Sequence, residues 1–172
     1  MKTLETEEIL EHNDEKEYML KVVKENGKFL DLASEKLKND KEIVEEALLQ
    51  DAESLEFVSD RLKNNKKIVM QAVRNAPWTI CYASEVLKAD KEVVLASCQN
   101  YGQGLYYASE ELRNDKEVVI AAVKNKGTII KYASDRLRDD EEVAKIALEQ
   151  DKQAYHFLSW RLRQKAEIKE LK

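Results

Sequence analysis

A chain of 172 residues with 43% hydrophobic side chains is large enough to fold around its own core, and one domain is expected at this length. Its 29 Lys and Arg are interspersed with 34 Asp and Glu, a net charge of −5 that disfavours a polycationic nucleic-acid tail or a basic membrane-binding patch. No apolar run approaches the roughly 18 residues of a membrane span, and no signal peptide or anchor is read.

The chain opens with an acidic stretch, residues 1–13, in which Leu4, Ile9 and Leu10 are scattered; it reads as an amino-terminal cap. From residue 14 the sequence repeats itself. Ser34, Ser59, Ser84, Ser109, Ser134 and Ser159 are each 25 residues apart, and three residues after each comes a leucine followed at once by Lys or Arg. A fixed period in this range means one small supersecondary unit stacked on copies of itself.

Within one unit, residues 39–63, the pattern reads as two helices. Asp40 is the expected N-cap of a first helix, A, over about 40–50, in which Ile43, Val44, Ala47 and Leu48 recur at helical spacing. A break is expected at position 52, where other units carry Gly27, Pro77, Gly102 and Gly127, because Gly accepts a left-handed conformation and Pro cannot continue a helix. Helix B then runs over about 53–63 with Leu55, Val58 and Leu62 facing inward. One of its positions is aromatic in five units, as Phe57, Tyr82, Tyr107, Tyr132 and Phe157, with Leu32 in the first.

Helices of about 11 residues are marginal alone and bury their apolar faces only by stacking. The expected fold is therefore all-α: an αα-solenoid, a right-handed superhelix, of six 25-residue helix-turn-helix repeats over residues 14–163. A closing helix over 164–172, with Ile168 at the apolar position, completes a single repeat domain.

The blocks Tyr132-Ala133-Ser134-Asp135-Arg136-Leu137 and Asn114-Asp115-Lys116-Glu117-Val118-Val119, joined by Lys126-Gly127, resemble a tandem αα-repeat family catalogued as a domain of unknown function, the four-one-one-six family. The resemblance covers about residues 14–163. It departs at Leu32, at Tyr18-Met19 and at Trp160, which stands where other units have an acidic residue. It implies the repeat fold and a role in repeat-mediated interaction, and brings no activity with it.

The residues themselves assemble no catalytic constellation. His12 and His156 are the two histidines, one in the cap and one near the far end, and neither shares the period of the serines. Each serine is read as bonding back to a carbonyl one turn earlier or capping a tight final turn. The acidic pairs Asp139-Asp140 and Glu141-Glu142 fall at a helix start, where carboxylates offset the exposed amides, and no metal spacing is present. Cys81 and Cys98 occupy different positions of the unit, so neither a disulfide framework nor a Cys-x-x-Cys metal pair is expected, and the default compartment is a reducing cytoplasm. The chain is read as a non-enzyme without cofactor or metal.

A basic position recurs as Lys38, Lys63, Lys88, Arg113, Arg138 and Arg163. Repeat proteins that read RNA use such ladders, which is the alternative reading; the acidic and amide neighbours favour exposed ion pairs on a solvated surface. The stronger functional signal is where units differ, because scaffold positions must recur and recognition positions need not. Trp78 shares its position with Lys28, Glu53, Gln103, Thr128 and Gln153; Tyr101 shares its own with Asn26, Asp51, Ala76, Lys126 and Asp151. Tyr106 stands where other units have Asp31, Glu56, Cys81, Lys131 and His156. On helix A, Met70, Leu95 and Ile120 share a position that is Glu45 and Lys145 in two of the other units, about 130° from the centre of the main apolar stripe. Trp78, Tyr101 and Tyr106, with Met70, Leu95 and Ile120 as a floor, are the candidate partner-binding residues of a monomeric module that takes a protein or peptide; nucleic acid is disfavoured and a membrane is not expected.

If each unit touches only its neighbours, deleting one whole period, residues 84–108, leaves a soluble, shorter, helical protein by circular dichroism and size exclusion. Aggregation or loss of helicity contradicts the stacking.

Overall fold

The computed structural model describes residues 6–172, so residues 1–5 of the expected cap lie outside it. The regular elements among the described residues are all α or 3-10 helices, with no strand. They fall into two compact units divided between Ser84 and Glu85.

The A helices form as the sequence indicates. They span Lys16–Glu25, Lys41–Gln50, Lys66–Asn75, Lys91–Cys98, Lys116–Asn125 and Glu141–Gln150. Asp40 accepts from the amides of Glu42 and Ile43 at 3.0 and 3.3 Å, and Asn65, Asp90, Asp115 and Asp140 cap their helices in the same way. These bonds satisfy two of the amides that a helix start leaves without partners. The inward stripe, such as Ile43, Val44, Ala47 and Leu48, is fully buried. A lysine at the first helical position sits badly against its own dipole. Here it serves the next repeat instead: Lys16 pairs with Asp40 at 2.8 Å, Lys91 with Asp115 at 2.7 Å and Lys116 with Asp140 at 2.8 Å.

Helix B is not a continuous helix. In the second repeat a 3-10 helix, Ala52–Phe57, gives way to extended backbone at Val58 and Ser59, and a single α-turn, Asp60–Lys63, follows. The same division recurs at Gly127–Tyr132 with Asp135–Arg138 and at Lys152–Phe157 with Trp160–Gln164. The physical cause is the serine. Its hydroxyl accepts from the amide of the leucine three residues on, at 3.1 to 3.4 Å, so it starts a new helix rather than continuing one. Of the two roles open to the serine from sequence, capping the final turn is the one it takes.

The break also turns the serine amide toward the preceding repeat. Ser34 donates to the Asn13 carbonyl, Ser59 to Lys38, Ser84 to Lys63, Ser109 to Lys88, Ser134 to Arg113 and Ser159 to Arg138, all at 2.9 to 3.1 Å. Each acceptor from Lys38 onward belongs to the end of a B segment, where helix carbonyls lack partners of their own. The hydroxyls reach back as well: Ser34 to Asp14, Ser59 to Asn39, Ser84 to Asn64, Ser134 to Asn114 and Ser159 to Asp139. Arg61 and Arg136 close the same joint from outside, each donating Nε to the asparagine side chain and a terminal nitrogen to its carbonyl at 2.6 to 2.8 Å.

The turn between A helix and B segment also differs from expectation. None of the glycines has a positive φ. The residue that breaks the helix is the one before, extended in Asn26, Asp51, Lys126 and Asp151, with φ between −153° and −146°. The glycine is there for space. A Cβ built on Gly127 would fall well inside 3.0 Å of the Ala147 carbonyl oxygen in the next A helix, and one on Gly104 would meet the Ser97 hydroxyl at 2.5 Å. After the last repeat, Ala166–Glu170 forms the start of a further helix and buries Ile168, as its spacing indicates.

Two predictions follow from these contacts. Gly127→Ala forces a methyl group into a backbone carbonyl that cannot retreat without unseating the next A helix, so it costs about 1 to 3 kcal/mol or more, read as a lowered melting temperature; an unchanged temperature contradicts the close approach. The second concerns acid. Burial of the Asp40, Asp115 and Asp140 carboxyls works against their ionisation, but the bonded lysine and the capped amides outweigh it and hold all three below the usual value. A depressed folded pKa gives stability that is complete above the unfolded value and lost as pH falls through the folded one, so melting temperature declines below about pH 4. Asp140→Asn, the residue Asn65 already provides, keeps the cap and flattens part of that decline; an unaltered acid slope contradicts the assignment.

Candidate interaction surfaces

The groups that suggested chemistry are engaged in local contacts or in the joints between repeats. His12 bonds Glu15 at 2.8 Å and lies against the Tyr18 ring, while His156 lies edge-on to Tyr155. Asp139 accepts from Ser159 and Arg161, which hold its carboxyl below the usual range; Asp140 caps its helix, and Glu141 pairs with Lys165. Burial pushes the Cys98 thiol up to about 12, away from reactive thiolate. Among the described residues, no three His, Cys, Asp or Glu side chains gather as a metal site, and no helix is long and apolar enough to cross a membrane.

The basic ladder forms the expected ion pairs at three rungs, Lys38, Lys88 and Arg138, but its side chains are less exposed than a solvated row. The side chains of Lys38 and Lys88 are only 17% and 15% exposed, and each pairs with the carboxylate three residues before, Glu35 and Glu85. Lys63 donates to the Glu56 carbonyl and Arg113 to that of Tyr106, both at 2.7 Å, and Arg138 pairs with Asp135. These side chains fold back over their own B segments.

In the first unit, Trp78 ends a row of three residues spaced one period apart. Its indole N–H donates to Glu53 Oε1 at 3.1 Å, and Lys28 donates to the other oxygen at 2.7 Å. Those two bonds hold the Glu53 carboxyl below its usual pKa, with Lys28 the larger cause. Trp78 remains 44% exposed and borders an open groove of about 560 Å³ with Leu48, Leu49 and Ala76. Met70, expected to floor a groove, is buried.

In the second unit the remaining candidates separate. Leu95 and Ile120, half-buried on adjacent A helices, line a shallow groove of about 310 Å³ with Ala121, Gln99, Glu117 and Lys124. Neither Tyr101 nor Tyr106 lines it. Tyr101 stands half-buried at the break after its A helix, its amide bonded to the Ser97 carbonyl at 2.8 Å. Tyr106, 49% exposed, meets the rings of Tyr107 and Tyr132 edge-on at 5.0 and 4.9 Å. Leu95 and Ile120 thus share a groove whose lining does not include Tyr106.

Leu49 and Val86 are exposed apolar residues that the sequence reading did not single out, and Trp160, noted there only as a departure from the family pattern, is 72% exposed. The signal was present in the same columns. Leu49 stands among Lys24, Arg74, Gln99, Lys124 and Glu149, and Trp160 among Glu35, Asp60, Glu85, Glu110 and Asp135.

A family model described as "Domain of unknown function (DUF4116)" matches four overlapping stretches, residues 15–63, 47–88, 90–138 and 115–163. The first two and the last two overlap, and all four end at the same register position of the 25-residue period, 63, 88, 138 and 163. No curated protein and no solved structure matches the chain.

Proposed function

The chain belongs to the family described as "Domain of unknown function (DUF4116)", and from the way its repeats allot their side chains we propose that it is a non-catalytic interaction module that binds a protein or peptide. The observation that carries this reading is the division between columns. The recurring serine, asparagine or aspartate, and basic residues are used in caps and joints between repeats, whereas large apolar side chains stay exposed in columns that are polar elsewhere, at Leu49, Trp78 and Tyr106. Scaffold packing does not require them there, and Trp and Tyr at an accessible surface are the side chains that most often anchor interfaces. The alternative, nucleic-acid binding through the basic ladder, is weakened because those cations are turned onto their own B segments.

Trp78→Gln with Tyr106→Lys tests the proposal, since both replacements are residues that sister repeats use at the same positions. Lys131, the sister of Tyr106, already lies over the Tyr132 ring at 4.8 Å, so a lysine there has a known way to pack. Helicity and melting temperature should stay close to wild type, while a partner captured from cells by the wild-type chain and identified by mass spectrometry binds the double variant about 2 kcal/mol or more weakly. Equal binding places the interface elsewhere, and an unfolded double variant makes these aromatics structural.

A further inference from the structure

The rings of the second unit form a continuous strip along its B segments. Tyr106 touches Tyr107 and Tyr132, and the Lys131 ammonium lies 4.8 Å from the Tyr132 ring and 5.8 Å from that of Phe157. Tyr106 and Lys131 thus each meet the aromatic of the following repeat. The strip is half-exposed, and beside Tyr132 it opens into a groove of about 530 Å³ lined by Arg113, Arg136, Ser134 and Asp135.

Lys131 and Arg136 on it pair with no carboxylate, and neither does Arg113, which bonds the Tyr106 carbonyl. Lys131 has rings as its neighbours, and the bonds of Arg136 go to Asn114, which is neutral. Elsewhere in the unit, Lys91, Lys116 and Arg161 are each answered by an acid. Two carboxylates line the groove: Asp135, which pairs with Arg138, and Glu110, which bonds neither Lys131 nor Arg136. The column itself reverses along the chain: Asp31 and Glu56 occupy in the first unit the position that Tyr106, Lys131 and His156 occupy in the second. The acidic excess follows it, with 13 basic against 18 acidic residues before Glu85 and 16 against 16 from there on.

Resting on the reading of the chain as a protein-binding module, we infer that this strip docks an acidic peptide segment, whose carboxylates meet Lys131 and Arg136 while an apolar side chain lies against Tyr106, Tyr132 and Phe157. Charge complementarity selects the occupant. A side chain carboxylate supplies the counter-ion that these two cations lack, and the apolar faces of the rings supply contact area. A nucleic-acid strand carries a phosphate at every residue and would bring that charge past the exposed carboxylates of Glu110 and Asp135, whereas a peptide can place its acids only where the cations are.

The test is to pan a displayed library of random peptides on the full chain, synthesise the enriched sequences with a fluorescent label, and titrate them by anisotropy against variants. Lys131→Glu and Arg136→Val use the residues of the second and third repeats, Glu56 and Val86, so the fold has precedent for both; Arg74→Gln removes a cation from the first unit as a control. The expected result is enrichment of net-acidic peptides that contain apolar residues, weakened about tenfold or more by Lys131→Glu and severalfold by Arg136→Val, with no change for Arg74→Gln. If either strip variant lowers the melting temperature, the other, unperturbed one decides. Acidic peptides that bind both strip variants normally, or enrichment of neutral or basic peptides, overturn the inference and leave the interaction reading standing. No enrichment at all overturns both. Tighter Lys131-dependent binding of oligo-uridine makes nucleic acid the occupant, and Lys131-dependent self-association by light scattering makes it a second copy; either result overturns the inference.

Discussion

The bond between each serine amide and the carbonyl 21 residues before it is the contact on which the rest of the repeat depends. It forms because the backbone at Val58-Ser59 and its equivalents is extended, which takes the amide out of any local helix and points it at the unsatisfied end of the previous B segment. Two incomplete helices are thereby completed by each other. With the amide fixed, the hydroxyl caps the next turn and reaches the asparagine or aspartate of the earlier repeat, and the leucine three residues on is driven into the core, as Leu62, Leu137 and Leu162 are. A hydrogen bond of this kind contributes only about 1 kcal/mol net, but leaving both groups unpaired at a closed joint costs more, which is why the position does not vary.

This joint decides which side chains are available for function. The basic residue whose carbonyl accepts the serine amide is held at the end of its turn, and its side chain returns over its own segment; the aspartate at the next cap is bonded by the lysine of the repeat before. Most of the charge that gives the sequence its polar appearance is therefore committed to neighbouring residues. What is left over is a set of columns facing outward, and there the repeats diverge: Trp78 with Leu49 in one unit, and the Tyr106–Lys131 strip in the other. The columns that form the joints recur, whereas the exposed columns vary, although Trp78 still bonds Glu53 and Tyr106 still packs on Tyr132 of a neighbouring repeat.

Much of this was legible in the sequence. The 25-residue period, the A helices, the cap at Asp40 and the inward leucines rest on local rules that operate identically in every copy. The B segment was misread because Leu55, Val58 and Leu62 suit a continuous helix as well as a 3-10 turn, a break and a new turn; only the bond from Ser59 to Lys38, a contact across repeats, decides between them. Gly127 looked like a left-handed cap for a similar reason, since its purpose lies at the Ala147 carbonyl twenty residues away. At the candidate surfaces, comparing columns found Trp78 and Tyr106, and the same comparison pursued further would have added Leu49 and Trp160. It could not show that Leu95 and Ile120 share a groove without Tyr106, because that depends on where A helices and B segments place their outer faces.

Native-state hydrogen exchange at the serine amides tests the joint most directly. Extended residues at a surface loop would exchange quickly if they bonded only to water. The account predicts that the amides of Ser59, Ser84, Ser109, Ser134 and Ser159 are as protected as those in the middle of the A helices, exchanging only when the stack opens. Rapid exchange at these serines, with the A helices still protected, would contradict it.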